Sequence, residues 1–150
     1  MELFPLKGTQ VFGAIRVKKI EHIGIAVKDI KASNKVFVKI FGKESYKSEP
    51  VESESVITSF FQVGESKIEL VAATDLSSSI AKYLDNNREG MHHIAFDVAD
   101  IKVEMRRLKS EGIRTLNDQP KKGADNKLIC FLHPKDTNGV LIELCQEIEI

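Results

Sequence analysis

The stretch His22-Ile23-Gly24-Ile25-Ala26-Val27-Lys28-Asp29-Ile30-Lys31 returns later in the chain as His93-Ile94-Ala95-Phe96-Asp97-Val98-Ala99-Asp100-Ile101-Lys102. At a constant offset of 71 residues (93 − 22), the His, Ile, Val, Asp, Ile and Lys recur. A second echo follows, because Lys67-Ile68-Glu69-Leu70 and Leu141-Ile142-Glu143-Leu144 share Ile-Glu-Leu. Each half opens with a His and closes with a Glu, 47 residues on in the first (22 to 69) and 50 in the second (93 to 143). A duplication can keep core residues for packing alone. One that also keeps an imidazole and a carboxylate in each half points to four polar side chains meeting at a shared site.

Alternation within the repeated stretch sets its faces. Ile23, Ile25 and Val27 share one side of a strand and His22, Gly24 and Ala26 the other; Ile94, Phe96 and Val98 oppose His93, Ala95 and Asp97 in the second copy. The bulky faces are expected beneath helices, while Gly24, Ala26 and Ala95 leave room for a ligand on the His faces. Asp29 and Asp100 are natural N-caps for the helices that follow. Ile30, Ala32, Val36, Phe37 and Ile40 give the first an apolar stripe ending at Gly42, and Ile101, Met105 and Leu108 do so before Gly112.

Three strand-like runs complete each module, near 43–48, 55–63 and 67–72 in the first and near 114–116, 127–132 and 139–144 in the second. Between the modules, 74–90 reads as a linker with a short helix capped by Ser77–Ser79. The architecture is α+β: βαβββ, a linker helix, βαβββ. Residues 1–17 lie outside the repeat and read as an N-terminal arm or extra strand. Residues 18–150 form one domain, with module 1 at about 18–73, the linker at 74–90 and module 2 at about 91–150.

The chain has 150 residues, 42% hydrophobic and 29% charged, the profile of a globular protein. Its 22 acidic and 22 basic residues balance, which argues against nucleic acid or an acidic membrane surface as partner. No apolar run approaches the roughly 20 residues that span a bilayer. Cys130 and Cys145 sit in apolar runs, as core thiols rather than a disulfide, which suggests a reducing cytoplasm.

If the first and last strands of each module are neighbours, His and Glu share a face. A pseudo-twofold axis then gathers His22, Glu69, His93 and Glu143. Two imidazoles and two carboxylates suit a borderline divalent ion such as Co, Mn, Ni, Zn or Fe better than Mg or Ca. Taken singly, a strand His is more often a cap or surface residue, and it is the matched set that favours a metal. By alternation His92 faces the core in a structural role, and His133 is a loop residue. The acidic run Glu49, Glu52 and Glu54 reads as a solvated turn, one member of which can reach the cavity. Lys121-Lys122-Gly123 reads as an exposed loop.

These residues resemble the vicinal oxygen chelate superfamily, the glyoxalase I–bleomycin resistance group, over about 18–148. Three segments are similar to its methylmalonyl-CoA epimerase family. They are Gly90-Met91-His92-His93-Ile94-Ala95-Phe96, Phe131-Leu132-His133-Pro134-Lys135-Asp136 running on through Gly139 to Leu144, and Ser79-Ile80-Ala81-Lys82-Tyr83-Leu84. The resemblance implies two tandem βαβββ modules forming a cupped mixed sheet around a divalent metal, with ligands at His22, Glu69, His93 and Glu143. It implies epimerisation of (R)- and (S)-methylmalonyl-CoA through removal and return of the α-proton, with Glu143 and Glu69 as the preferred pair of proton carriers. The expected partner is an acyl-CoA, and the expected assembly a homodimer. Some relatives carry Gln where Glu69 stands. A bacterial form uses a second glutamate whose position, anchored on Val56, falls near Thr58 here. The alternatives are a glyoxalase I-type lactoylglutathione lyase, a non-catalytic antibiotic-binding protein of the same fold, and a ring-cleaving dioxygenase, whose usual two His and one carboxylate fit less well.

Overall fold

The computed structural model describes residues 16–149, so the arm expected over 1–17 lies almost wholly outside the described residues. Strand β1 (Val17–Ala26) leads into α1 (Ile30–Phe41), then β2 (Lys47–Val51), β3 (Val56–Val63) and β4 (Ser66–Ala73). After α2 (Ser79–Asn86) come β5 (Gly90–Val98), α3 (Ile101–Ser110), β6 (Lys121–Lys122), β7 (Lys127–Phe131) and β8 (Ile142–Glu147). All eight strands form one sheet in the order β2-β3-β4-β1-β5-β8-β7-β6. The halves mirror each other: β1 pairs in parallel with β4, β5 in parallel with β8, and β1 joins β5 antiparallel at the centre. The first and last strands of each module are therefore neighbours.

The caps fall where their chemistry requires. Asp29 accepts a hydrogen bond from the Ala32 amide and Asp100 from that of Val103, each worth about 1 kcal/mol. Gly42 ends α1 at φ 68°, a left-handed conformation that glycine adopts without strain. Ser78 caps α2 through the Ile80 amide.

The outer faces of the two halves carry separate cores. Beneath α1, Val27, Phe61, Leu70 and Ala72 are buried with Phe37, Val38 and Phe41 against them. Val36 and Ile40, expected in the α1 stripe, are instead exposed. The rings of Phe37 and Phe41 both pack on Phe61, and this fixes the helix with the 37/38/41 edge inward. Beneath α3, Ile101 and Met105 pack on Val98, Cys130, Leu132 and Leu144. Truncating Leu144 to Ala there is expected to cost about 2–5 kcal/mol.

Two strands of module 2 depart from expectation. The run near 114–116 makes only an isolated bridge between Thr115 and Leu132, because Arg114 is held by Asp136 through its side chain and its amide. A two-residue edge strand forms just after Pro120, at Lys121–Lys122, where a loop was expected. The last strand starts at Ile142, later than expected, because Gly139 and Val140 belong to the preceding turn.

The sheet curls until its ends meet. Asp125, in the β6–β7 turn of module 2, accepts from Tyr46 Oη at 2.8 Å and from Lys67 Nζ at 3.0 Å, and pairs with Lys47 at 3.3 Å, all in module 1. Its amide donates to Glu49. The inner face of this cup carries the His faces of β1 and β5. Both cysteines are buried free thiols, and among the described residues no helix is long and apolar enough to cross a membrane.

Candidate metal centre

The central strand pair sets two imidazoles side by side. In the β1–β5 register His22 faces Ala95 and Gly24 faces His93. Gly24 lacks a Cβ, so the His93 ring lies across it: any Cβ built at position 24 would overlap the ring atoms Cε1, Nδ1 and Nε2. The small residues on the His faces were expected to leave room for a ligand; at Gly24 that room is filled by the ring of His93.

From the flanking strands come the carboxylates. Glu69 is level with Gly24 on β4, and Glu143 is level with Ala95 on β8. All four side chains are buried, at 5% exposure for His22, 6% for Glu69, 9% for His93 and 5% for Glu143. His22 Nε2 lies 3.1 Å from His93 Nε2, 2.9 Å from Glu143 Oε2 and 3.8 Å from Glu69 Oε1, while His93 Nε2 is 3.3 Å from Glu69 Oε1. The structure thus brings together every residue expected at the site.

Donor chemistry tests what this arrangement fits. Two imidazole Nε2 atoms and the Glu69 carboxylate lie close together, and Glu143 Oε2, 2.9 Å from His22 Nε2, is buried without an aligned hydrogen bond. Ligands about 2.1 Å from a common ion stand ~3.0–3.4 Å apart at adjacent positions, and three of the four separations lie close to that range. His22, Glu69 and His93 form the compact group able to hold a metal ion, and Glu143 joins through its contact with His22. Burial opposes a charge on His22, but Glu143 and Glu69 outweigh it and raise the imidazole to about 10. Burial likewise works against the Glu143 charge, yet His22 holds that carboxyl below the usual range.

The cavity beside this cluster is lined by Glu69, Glu143, His93 and Thr58, with apolar walls that include Val71, Ile80 and Phe131. Glu54 of the acidic run reaches its rim and pairs with Lys121, while Gly123 also lines it. The Lys121-Lys122-Gly123 segment is therefore part of the cavity wall at one end. Thr58 is buried and donates to the Glu49 carbonyl. His133 stays at a turn, where its Nδ1 accepts from the Lys135 amide.

His92 corrects the alternation argument. It lines the cavity, and its Nδ1 lies 2.9 Å from His93 Nδ1. Burial and the neighbouring His93 lower it to about 4, so the ring is neutral near pH 7. The cause is a register shift: Gly24 pairs with His93 but Ile25 pairs with Met91, which leaves His92 as the extra residue of a bulge. Glu21 went unnoticed in the sequence for the same reason. A second bulge between Ile20 and His22 turns it inward, where it is 2% exposed and paired with Lys67 Nζ at 2.8 Å. Burial disfavours its charge, but His22 and Lys67 prevail and hold the carboxyl at about 2. A glutamate beside a histidine inside an apolar strand was the only available signal.

Comparison with known proteins gives this geometry a setting. Residues 21–131 match the family model of the glyoxalase/bleomycin resistance protein/dioxygenase superfamily. The human mitochondrial methylmalonyl-CoA epimerase is 36% identical over 139 residues, 91% of this chain and 79% of that protein. The ethylmalonyl-CoA/methylmalonyl-CoA epimerase of Cereibacter sphaeroides is 37% identical over 132 residues, 87% of this chain and 98% of that one. Among solved structures, a variant of Streptomyces coelicolor methylmalonyl-CoA epimerase in complex with 2-nitronate-propionyl-CoA superposes with a TM-score of 0.85. It is 34% identical and covers 89% of this chain and 97% of that one.

Proposed function

This chain belongs to the glyoxalase/bleomycin resistance protein/dioxygenase superfamily, and on that premise we propose that it is an enzyme that epimerises methylmalonyl-CoA. The observation that carries the reading is the buried cluster of His22, Glu69 and His93, with Glu143 against His22, brought from pseudo-twofold strand pairs to the wall of a cavity. Likeness at 34–37% identity, over 87–91% of this chain, to epimerases of this substrate class supports it.

The four residues are the proposed ligands of a divalent ion, of which Co, Mn, Ni, Zn and Fe suit the donors. Bound there, such an ion supplies Lewis acidity, offsetting the negative charge that develops on a carbonyl oxygen when an α-proton leaves. The chain's own side chains supply the rest. Glu143 on β8 takes the α-proton from one face of the substrate carbon and keeps it, and Glu69 on β4, entering the step protonated, delivers its own proton to the other face. Their places on strands flanking β1–β5 support opposite approaches. Thr58 has no carboxylate to offer, so the second proton carrier falls to Glu69. Phe131, Val71 and Ile80 give the cavity apolar walls that exclude water from the reacting centre.

The assembly on this reading is a homodimer, which the exposed apolar side chains Val36 and Ile40 support. The compartment is the cytoplasm, for which the free buried Cys130 and Cys145 speak. The test is deuterium uptake at the α-carbon of methylmalonyl-CoA in heavy water, run beside a methylglyoxal–glutathione assay. Uptake with inversion is expected from the first and no turnover from the second. The reverse pattern would move the chain to the lactoylglutathione lyase reading.

A further inference from the structure

We propose that Glu21 is a positioning residue for the ligand His22: its carboxylate, carried inward by a β-bulge, holds the imidazole with the proton on Nδ1 and leaves Nε2 for the metal. The inference rests on the metal site proposed above and assigns a role to a residue outside the ligand set.

Two of the three bulges of the central strand pair stand at equivalent places. Glu21 is the extra residue in one and His92 in the other, and each immediately precedes a ligand His at the 71-residue offset of the repeat (92 − 21). Ordinary alternation would send both to the opposite side of the sheet from the ligands. The bulge cancels that alternation and brings each one to the outer nitrogen of its neighbour's ring. His93 Nδ1 has His92 Nδ1 at 2.9 Å, and His22 Nδ1 has Glu21 Oε1 at 3.8 Å. His22 Nδ1 is buried and has no hydrogen-bond partner, so a turn of the ring by under ~1 Å toward Glu21 would satisfy it. Metal-binding imidazoles generally donate their second N–H to such a group, which fixes tautomer and orientation.

Glu21 is held so that it cannot turn away. Its Oε1 takes Lys67 Nζ at 2.8 Å, Lys67 also takes Asp125 at 3.0 Å, and Tyr46 and Lys47 hold Asp125 in turn. Among the described residues, the charged contacts of this carboxylate, 2% exposed, are with Lys67 and His22, and Lys127 acts on it from farther off. The two ligand rings thus differ: His22 has a charged partner and His93 a neutral one.

The experiment compares wild type with Glu21→Gln and Glu21→Ala, using zinc and cobalt(II) as probes. Zinc affinity is expected to fall in the order wild type, Gln, Ala, with a loss of about 10–100-fold for Ala. The cobalt(II) d–d spectrum should change in the same order. In zinc-saturated wild type, long-range ¹H–¹⁵N spectra should show His22 carrying a slowly exchanging proton on Nδ1. A purely structural Glu21 would lower the melting temperature of the variants but leave affinity per folded molecule and the cobalt spectrum unchanged, and that result overturns the proposal. So does a wild-type His22 protonated on Nε2, a readout that stands even where Glu21→Ala fails to fold. Wild type that takes up neither metal overturns the metal site itself and Glu21's role with it, an outcome distinct from the other two.

Discussion

Gly24 and His93 face each other across the central strand pair, and the imidazole of His93 occupies the volume that any side chain at position 24 would need. The glycine is thus a condition for the position of the His93 ring and not a feature of the strand's own conformation. Gly24→Ala should push the His93 ring off the common point. The overlap is relieved only by strain of about 1–3 kcal/mol, and metal affinity should fall by at least the roughly 10–100-fold typical of a disturbed ligand orientation. Calorimetric titration with zinc checks it. Wild-type affinity in a folded Gly24→Ala protein would mean that His93 is not a ligand.

Glu143 is both a ligand and the preferred base on this reading. Glu143→Gln keeps the shape of a side chain that is 5% exposed and removes its charge. Loss of general-base action alone is expected to slow turnover by about 10²–10⁴-fold, with unfolding stability changed far less. Turnover close to normal in a folded variant with normal metal content would take Glu143 out of the chemistry.

Asp125 makes the closure of the cup dependent on pH. Burial opposes its charge, but hydrogen bonds from Lys67 and Tyr46 prevail and hold the carboxyl below its ordinary value. A depressed folded-state pKa means that the stabilisation is present above the unfolded value of about 3.9 and is lost as pH falls through the folded one. Asp125→Asn should therefore lose about 1.5–3 kcal/mol near neutrality, the range for a hydrogen bond to a charged group. The gap to wild type should narrow in acid. Urea unfolding at neutral and acidic pH measures this, and a gap that stays constant would place the stabilisation elsewhere.

Much of this architecture could be read from the chain, because the physics behind it is local. Asp29 and Asp100 announce helix starts, and Leu70 and Leu144 alternate with Glu69 and Glu143 so that the core and cavity faces of β4 and β8 separate cleanly. The duplication itself made legible the pairing of first with last strand in each module and the gathering of the four side chains about a pseudo-twofold axis, but not the pairing of β1 with β5. The inward positions of Glu21 and His92 were not legible either. A bulge adds one residue to one strand, and no residue type in Ile20-Glu21-His22 or Met91-His92-His93 marks it. The contacts of Asp125 with Tyr46, Lys47 and Lys67 were hidden for another reason, since they join the two ends of a curled sheet. The rotation of α1 was decided by Phe61, a partner from another strand.

Glu69 carries the last prediction, because its proposed role depends on the pseudo-symmetry of the site. Each enantiomer presents its α-proton to one face, so two carboxylates on opposite flanking strands divide the work between them. If Glu69 serves one face, Glu69→Gln keeps an oxygen donor toward the metal but loses the base. Exchange of the α-proton should then persist from the enantiomer that faces Glu143 and fall by about 10²–10⁴-fold from the other, while full epimerisation fails. If Glu69 is a ligand alone, the two enantiomers slow equally. Exchange from each pure enantiomer in deuterated water separates the cases. Equal rates would transfer the second proton to Glu54, the remaining carboxylate among the described residues lining the cavity, and Glu54→Gln would then have to show the one-sided loss instead.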